Sequence, residues 1–286
     1  MVPRVESFHD PVTSTFTYVV YDRDGGRAAI IDPVLDFDLF SAHVSTVSAD
    51  RVLAFLTERK LTADWILETH AHADHLTGAA YLKEKTGAKV AISRGITKVQ
   101  EHFRAVYGIE ADVPADGSQF DRLLDDGEML RIGGLQCHVM ATPGHTDESL
   151  TYVVGDAAFV GDTVFAPDTG TARTDFPGGD ARKLYRSIQK LFGLPEQTRI
   201  FLCHDYPSTE REIRAETSLM DQMAQNIHLK RDTAEDSFVK LRTDRDVTLP
   251  VPKLIWPAMQ VNIRAGNLPS PDRNGVRYFR LPVSGP

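Results

Sequence analysis

Trp65-Ile66-Leu67-Glu68-Thr69-His70-Ala71-His72-Ala73-Asp74-His75 is the stretch on which the fold turns. A short apolar run suited to a β-strand leads straight into three histidines and an aspartate. In an extended segment residues i and i+2 point to the same side, so His70 and His72 can face one ion. A turn into a helix beginning near Leu76 would carry Asp74 and His75 round to a neighbouring position. Imidazole and carboxylate ligands suit zinc, iron and manganese, and a thiolate-rich site is absent.

Three more clusters share this placement. Gly144-His145-Thr146 follows Thr142-Pro143, Gly161-Asp162-Thr163 ends the apolar run Ala157 to Val160, and His204-Asp205-Tyr206 follows Ile200 to Cys203. Each lies at a strand end or in the next loop, where rigid scaffolds place catalytic groups. A single histidine near a strand end is ordinarily a surface or core residue. Five of the ten histidines fall in these clusters, which outweighs that explanation. His9, His43, His102, His138 and His228 lack such surroundings and are assigned structural or surface roles.

The flanking sequence alternates strands and helices. Phe16 to Tyr21 and Ala28 to Ile31 form a hairpin across Asp22-Arg23-Asp24-Gly25-Gly26, with Asp32-Pro33 ending the return strand. Val52, Phe55 and Leu56 predict a helix from about Ser48 to Lys60. A second helix is expected over Leu76 to Lys85, stopped by Gly87. Further strands are expected at Lys89 to Ile92, after the turn Asp125 to Glu128 as far as Ala141, and at Ser149 to Val154 with Ala157 to Val160. Ala181 to Phe192 reads as an amphipathic helix, Arg199 to Cys203 as the strand delivering His204, and Glu210 to Gln225 as helical. After Thr248 the chain turns rich in Pro, Gly and Asn. A single domain over residues 1–286 is expected, with 249–286 as an irregular cap and a layered α/β architecture.

Composition bounds the function classes. The 286 residues carry a formal charge of −8, with no basic stripe of the kind nucleic-acid binders show. No apolar run is long enough for a membrane span, and the N-terminus lacks an apolar signal core. A cytoplasmic location is therefore the default. Cys137 and Cys203 cannot make a disulfide framework and are expected to be buried small hydrophobes.

The order His70-x-His72-x-Asp74-His75, His145, Asp162, His204 resembles the metallo-β-lactamase superfamily over roughly residues 15 to 210. That resemblance implies an αββα sandwich: two mixed β-sheets packed face to face, helices outside, metal at one edge. Fold alone does not give the reaction. Thr171-Ala172-Arg173-Thr174-Asp175-Phe176, Cys203-His204-Asp205-Tyr206 and Pro257-Ala258-Met259-Gln260-Val261-Asn262 together are similar to the persulfide dioxygenase (sulfur dioxygenase) branch. Glyoxalase II enzymes usually show Cys-Gly-Arg/Lys-Phe and His-Glu-Tyr at the first two places, and this chain departs from both.

The resemblance implies one Fe(II) per chain, held by His70, His145 and Asp162, and a reaction of glutathione persulfide with O2 and water giving glutathione and sulfite. His72, Asp74, His75 and His204 would then support the ligands, whereas in dinuclear relatives they complete two metal positions with Asp162 bridging. Arg173 is the candidate contact for a glutathione carboxylate, with an ion pair to Asp175 as its alternative. Tyr206 is a candidate hydrogen-bond donor to substrate, or else a structural tyrosine. The competing function is a glyoxalase II-like thioester hydrolase with two metals, zinc among them. Expected partners are a small-molecule substrate and O2, with no nucleic acid or membrane, and a homodimer is compatible with the sequence.

Overall fold

The computed structural model describes residues 2–207 and 211–283. The first half of the chain runs β1 (Arg4–Asp10), β2 (Thr15–Tyr21), β3 (Arg27–Ile31), β4 (Val34–Asp38), β5 (His43–Ser45), α1 (Val47–Glu58), β6 (Thr62–Leu67), β7 (Leu76–Thr77), α2 (Ala79–Thr86), β8 (Lys89–Ser93), α3 (Ile96–Tyr107) and β9 (Arg122–Leu124). The second runs β10 (Met129–Ile132), β11 (Leu135–Ala141), β12 (Leu150–Val154), β13 (Ala157–Phe159), α4 (Ala181–Phe192), β14 (Arg199–Phe201), β15 (Glu216–Ser218), α5 (Leu219–Gln225), α6 (Glu235–Asp246) and α7 (Ile255–Asn262).

Two six-stranded sheets result, ordered β1-β2-β3-β6-β8-β9 and β10-β11-β12-β13-β14-β15. Both are mixed. β3, β6, β8 and β9 pair in parallel while β1 and β2 are antiparallel, and β13–β14 is the parallel pair of the second sheet. Strand alternation sorts the apolar side chains into layers. In β2, Phe16, Tyr18 and Val20 meet Tyr152, Phe159 and Phe201 between the sheets. Val19 and Tyr21 point the other way, under α1 to α3. Beyond the second sheet, Ala158, Val160, Ile200 and Leu202 pack on Leu184, Ile188 and Leu191 of α4 and on Phe238 of α6. This is the αββα sandwich expected from the sequence, two mixed sheets face to face with helices outside.

Several elements differ from the sequence expectation. The helix expected over Leu76 to Lys85 begins only at Ala79, because Leu76 and Thr77 pair with Leu35 and Val34 as a short strand. The helix expected over Glu210 to Gln225 is confined to α5. Glu216–Ser218 is captured by the edge of β14, and the Ser218 side chain then caps α5 by accepting from Asp221 N at 2.9 Å. Glu210 itself lies outside the described residues. Within the stretch expected to be an irregular cap, Ile255–Asn262 is a helix buried along nearly its whole length, while residues 263–283 hold no helix or strand. The edge strand β1 and the helices α3 and α6 complete the layers. No helix among the described residues is long and apolar enough to cross a membrane.

Candidate metal centre

The three clusters and the histidine motif meet at one end of the sandwich. The end of β6 leads through Glu68 and Thr69 into His70, the loop after β11 carries His145, the end of β13 leads to Asp162, and β14 delivers His204. Two glycines make that convergence possible. Gly144 has φ +145°, and a Cβ there would lie 2.3 Å from the Leu184 backbone of α4. At Gly161, with φ +52°, a Cβ would meet Thr69 Oγ1 at 2.7 Å. Both sit in the positive-φ region that glycine enters without steric cost, and both let a ligand loop lie directly on a neighbouring element.

His70, His145 and Asp162 form one group of potential ligand atoms lying within 4.8 Å of one another, and His72, Asp74, His75 and His204 form a second. Asp162 joins the two. Its Oδ2 is 3.6 Å from His145 Nε2 and 4.0 Å from His70 Nε2, and its Oδ1 is 3.4 Å from His204 Nε2. His72 Nδ1, Asp74 Oδ2, His75 Nε2, Asp162 Oδ1 and His204 Nε2 are all buried without a hydrogen-bond partner. Buried polar atoms are nearly always satisfied, so this convergence, in which only Asp74 Oδ2 and His204 Nε2 face each other closely, at 3.0 Å, fits a cation. All of them are metal-ligating atoms.

Each histidine's other nitrogen is held, which sets which nitrogen faces inward. His70 Nδ1 lies 3.0 Å from Thr69 Oγ1. His145 Nδ1 donates to the Arg173 carbonyl at 2.7 Å. His72 Nε2 donates to Asp32 Oδ1 at 3.0 Å, leaving Nδ1 free. Thr15 Oγ1 stands 3.4 Å from His75 Nδ1 and 3.3 Å from His204 Nδ1.

The charge states differ among the histidines. Burial, with neighbouring imidazoles, pushes His70 and His72 well below the usual histidine range, so both are neutral with lone pairs available. Burial opposes protonation of His204 too, but the Asp74 and Asp162 carboxylates beside it raise it to about 10. Burial would likewise raise Asp74, yet His204, 3.0 Å from its Oδ2, holds it well below the carboxylate range.

Asp32 is the organiser that the sequence showed only as a strand terminator. Its carboxylate accepts from Thr69 N at 2.7 Å, Thr69 Oγ1 at 2.8 Å and His72 Nε2. It thus ties the end of β3 to both sides of His70. Asp32→Ala should weaken metal binding by about 10–100-fold while leaving the fold intact, as loss of a ligand-orienting carboxylate typically does. Chelator competition on the purified variant measures this, and wild-type affinity would refute it.

Other partners also went unread in the sequence. Glu148 Oε1 accepts from Ala71 N at 3.1 Å, inside the motif. Asn262 donates to the carbonyls of His72 and His75. Both hold backbone groups of the motif rather than acting as ligands, and although Asn262 ends the Pro257–Asn262 stretch, nothing in the sequence pairs either residue with the histidines.

The two candidate substrate contacts lie on the rim. Arg173 Nε and Nη2 form a bidentate pair with Asp175 at 2.6 and 2.8 Å, and Nη1 donates to the Pro250 carbonyl at 2.6 Å. Its guanidinium also covers the Phe176 ring. Tyr206 stacks on His204 with ring centroids 5.6 Å apart and is 45% exposed, so its ring borders the site while open to solvent. A small apolar pocket lies against His145, walled by Ala71, Ala73, Val99, Phe103, Phe176 and Met259. Cys137 and Cys203 are buried free thiols, as expected from the sequence. Burial, with the nearby Asp32, pushes the Cys203 thiol well up, so it stays protonated beside the site.

Comparison with known proteins agrees with this geometry. The family model for the metallo-beta-lactamase superfamily matches residues 10–204. The chain is 48% identical to a "Probable metallo-hydrolase" of Burkholderia pseudomallei, covering 98% of each. It is 44% identical to "Glyoxylase B2" of Dictyostelium discoideum, covering 98% of this chain and 97% of that one. It is 31% identical to the mitochondrial persulfide dioxygenase ETHE1 of Homo sapiens, covering 90% and 86%. Among solved structures, ETHE1 from Myxococcus xanthus superposes with a TM-score of 0.74 at 32% identity, covering 93% of this chain and all of that one. By its ligand set, its sandwich and its relatives, the chain belongs to the metallo-β-lactamase superfamily.

Proposed function

We propose that this protein is a persulfide dioxygenase with one Fe(II), converting glutathione persulfide, O2 and water into glutathione, sulfite and two protons. The observation that carries this reading is the grouping of His70, His145 and Asp162 as two imidazoles and one carboxylate around a common point. That is the facial donor set of oxygen-activating non-haem iron sites, which leaves positions open for ligands. The similarity to human persulfide dioxygenase, over 90% of this chain, supports it.

Iron bound there supplies the redox chemistry with O2 that the side chains cannot. The chain's own residues bind and orient. His145 is held through its Nδ1 by the Arg173 carbonyl, so its Nε2 points steadily inward. Phe176 stands edge-on to the His145 ring at 5.1 Å and, with Ala71, Ala73 and Met259, offers an apolar surface beside it. Such a surface suits the sulfur end of a persulfide and keeps bulk water off it. Arg173 is engaged by Asp175, so we assign its guanidinium to bracing the rim. A substrate carboxylate would have to share or displace Asp175. Tyr206, half-exposed beside His204, is placed to donate from its hydroxyl to a bound substrate.

A second reading has its own support. His72, Asp74, His75 and His204 form a second donor group, and of the relatives one is named a probable metallo-hydrolase and another glyoxylase B2. A two-metal thioester hydrolase would use both groups. The test is direct: anaerobically iron-loaded protein is given glutathione persulfide in an oxygen electrode, and S-lactoylglutathione in a separate assay. We expect equimolar oxygen uptake and sulfite release with the first substrate. Thioester cleavage without persulfide-dependent oxygen uptake would establish the hydrolase instead.

A further inference from the structure

Two helices that lie beyond the residues matched by the family model reach into the metal centre from behind. α7 does so through Asn262, which is 3% exposed. Its Nδ2 donates to the His72 carbonyl at 2.7 Å and the His75 carbonyl at 2.9 Å, and its Oδ1 accepts from Thr77 N at 2.8 Å. One side chain thereby closes the whole turn from His72 to Thr77, the segment that presents His72, Asp74 and His75. A buried amide with both ends used this way loses its function if either end changes character.

α6 acts on the other side of the site. Asp246 is buried, and its Oδ1 accepts from Arg242 Nε at 2.9 Å. Its Oδ2 accepts from Thr174 N at 2.8 Å and Thr174 Oγ1 at 2.9 Å. Arg242 Nη1 donates to the Thr171 carbonyl at 2.9 Å, and Thr171 N donates to His228 Nδ1 at 2.9 Å. The segment 171–174 is therefore fixed at both ends, and between those ends lies the Arg173 carbonyl that orients His145. A fully buried ion pair is poor value as pure stabilisation, since desolvation offsets much of the attraction. Holding a ligand-orienting carbonyl in place gives it a reason to be there.

We propose that Asn262 and Asp246 are positioning residues of the metal site: Asn262 shapes the His72–Thr77 turn, and Asp246 sets the carbonyl that aims His145. The proposal requires only that the site holds a metal: Asp246 acts on His145 in either reading of the site, whereas Asn262 acts through the turn that follows His70 in the one-metal reading and also carries the donors His72, Asp74 and His75 in the two-metal one. The test compares wild type, Asn262→Asp and Asp246→Asn, each as metal-free protein and loaded with Co(II) alone. The aspartate in Asn262→Asp keeps the shape and can still accept from Thr77 N, but cannot donate to the two carbonyls. Metal affinity is read by chelator competition, ligand geometry by the Co(II) absorption spectrum, and fold by Tm with and without metal. We expect affinity to fall about 10–100-fold in each variant, with a changed Co(II) spectrum and a smaller metal-induced rise in Tm. If both variants keep wild-type affinity and spectrum, and lose Tm equally with and without metal, the residues only stabilise the fold and the proposal fails. Should Asn262→Asp not fold, Asp246→Asn decides by the same readouts. These readouts do not involve oxygen uptake, so they stand whichever way the assay of the reaction falls.

Discussion

Asp162→Ala should purify folded but without tightly bound metal, and its turnover should fall below detection. The other motif residues each serve one donor group, whereas Asp162 faces both, with Oδ2 toward His70 and His145 and Oδ1 toward His204. Removing it also takes away the negative charge that offsets a dication in a buried site, where charges are poorly screened. Metal analysis of the variant, with circular dichroism as the control for folding, measures the loss. The companion substitution His75→Ala separates the two readings of the site. A single iron on His70, His145 and Asp162 leaves that variant with one equivalent of metal and much of its oxygen uptake. A two-metal hydrolase loses half its metal and its activity together.

Gly144→Ala is expected to be the most damaging small substitution in the chain. The added Cβ would sit 2.3 Å from the backbone N and Cα of Leu184, at a backbone φ of +145°. Leu184 is in the first turn of α4, whose Leu184, Ile188 and Leu191 fill the outer core, so the helix cannot simply step back. We expect a loss of about 4 kcal/mol or more, the size that overpacking combined with backbone strain can reach. In a chain of this size that means a Tm lower by roughly 10 °C or more, or failure to accumulate as soluble protein. Gly127→Ala is the matched control. It also has positive φ, at +80°, but nothing lies within 4 Å of its Cβ, so only the conformational cost of about 1–2 kcal/mol applies. Equal Tm losses for the two would show that the contact with α4 is not the limiting constraint.

The legible parts of the fold are those written in short-range pattern. β2 and β3 are apolar on both faces because each lies between two packed layers, and the hairpin expectation from Phe16 to Ile31 matches them. α4 carries Leu184, Ile188 and Leu191 on one side and an Asp180 side chain that accepts from Lys183 N, so its predicted span coincides with the observed one. The histidine motif stands out because its ligands are neighbours in sequence. What escaped depends on partners far away. Asp32 looks like a strand-ending Asp-Pro until Thr69 and His72 are brought beside it. Asp246 is an ordinary polar residue until it meets a loop 72 positions away, and Asn262, although it ends the Pro257–Asn262 stretch, has no visible task until it meets a loop 190 positions away. The pattern around Glu216–Ser218 suggests a helix because local propensity cannot report that the edge of β14 is open to pair with it. α3 is different: Ile96, Gln100, Phe103 and Tyr107 recur at helical spacing and are buried, so the signal was present in the sequence.

The bond from Asn262 to His72 also imposes an order on manufacture. The histidine motif is synthesised first, and the side chain that closes its turn is made 190 residues later. At typical rates of synthesis the motif waits for roughly ten seconds or more before α7 can dock against it. During that interval the first sheet can assemble, but the His72–Thr77 turn lacks its lock. A chain released short of Asn262 would carry the full set of histidines and aspartates and still lack the finished geometry. On the positioning proposal, docking of α7 through Asn262 is the step that finishes the turn beside the metal ligands.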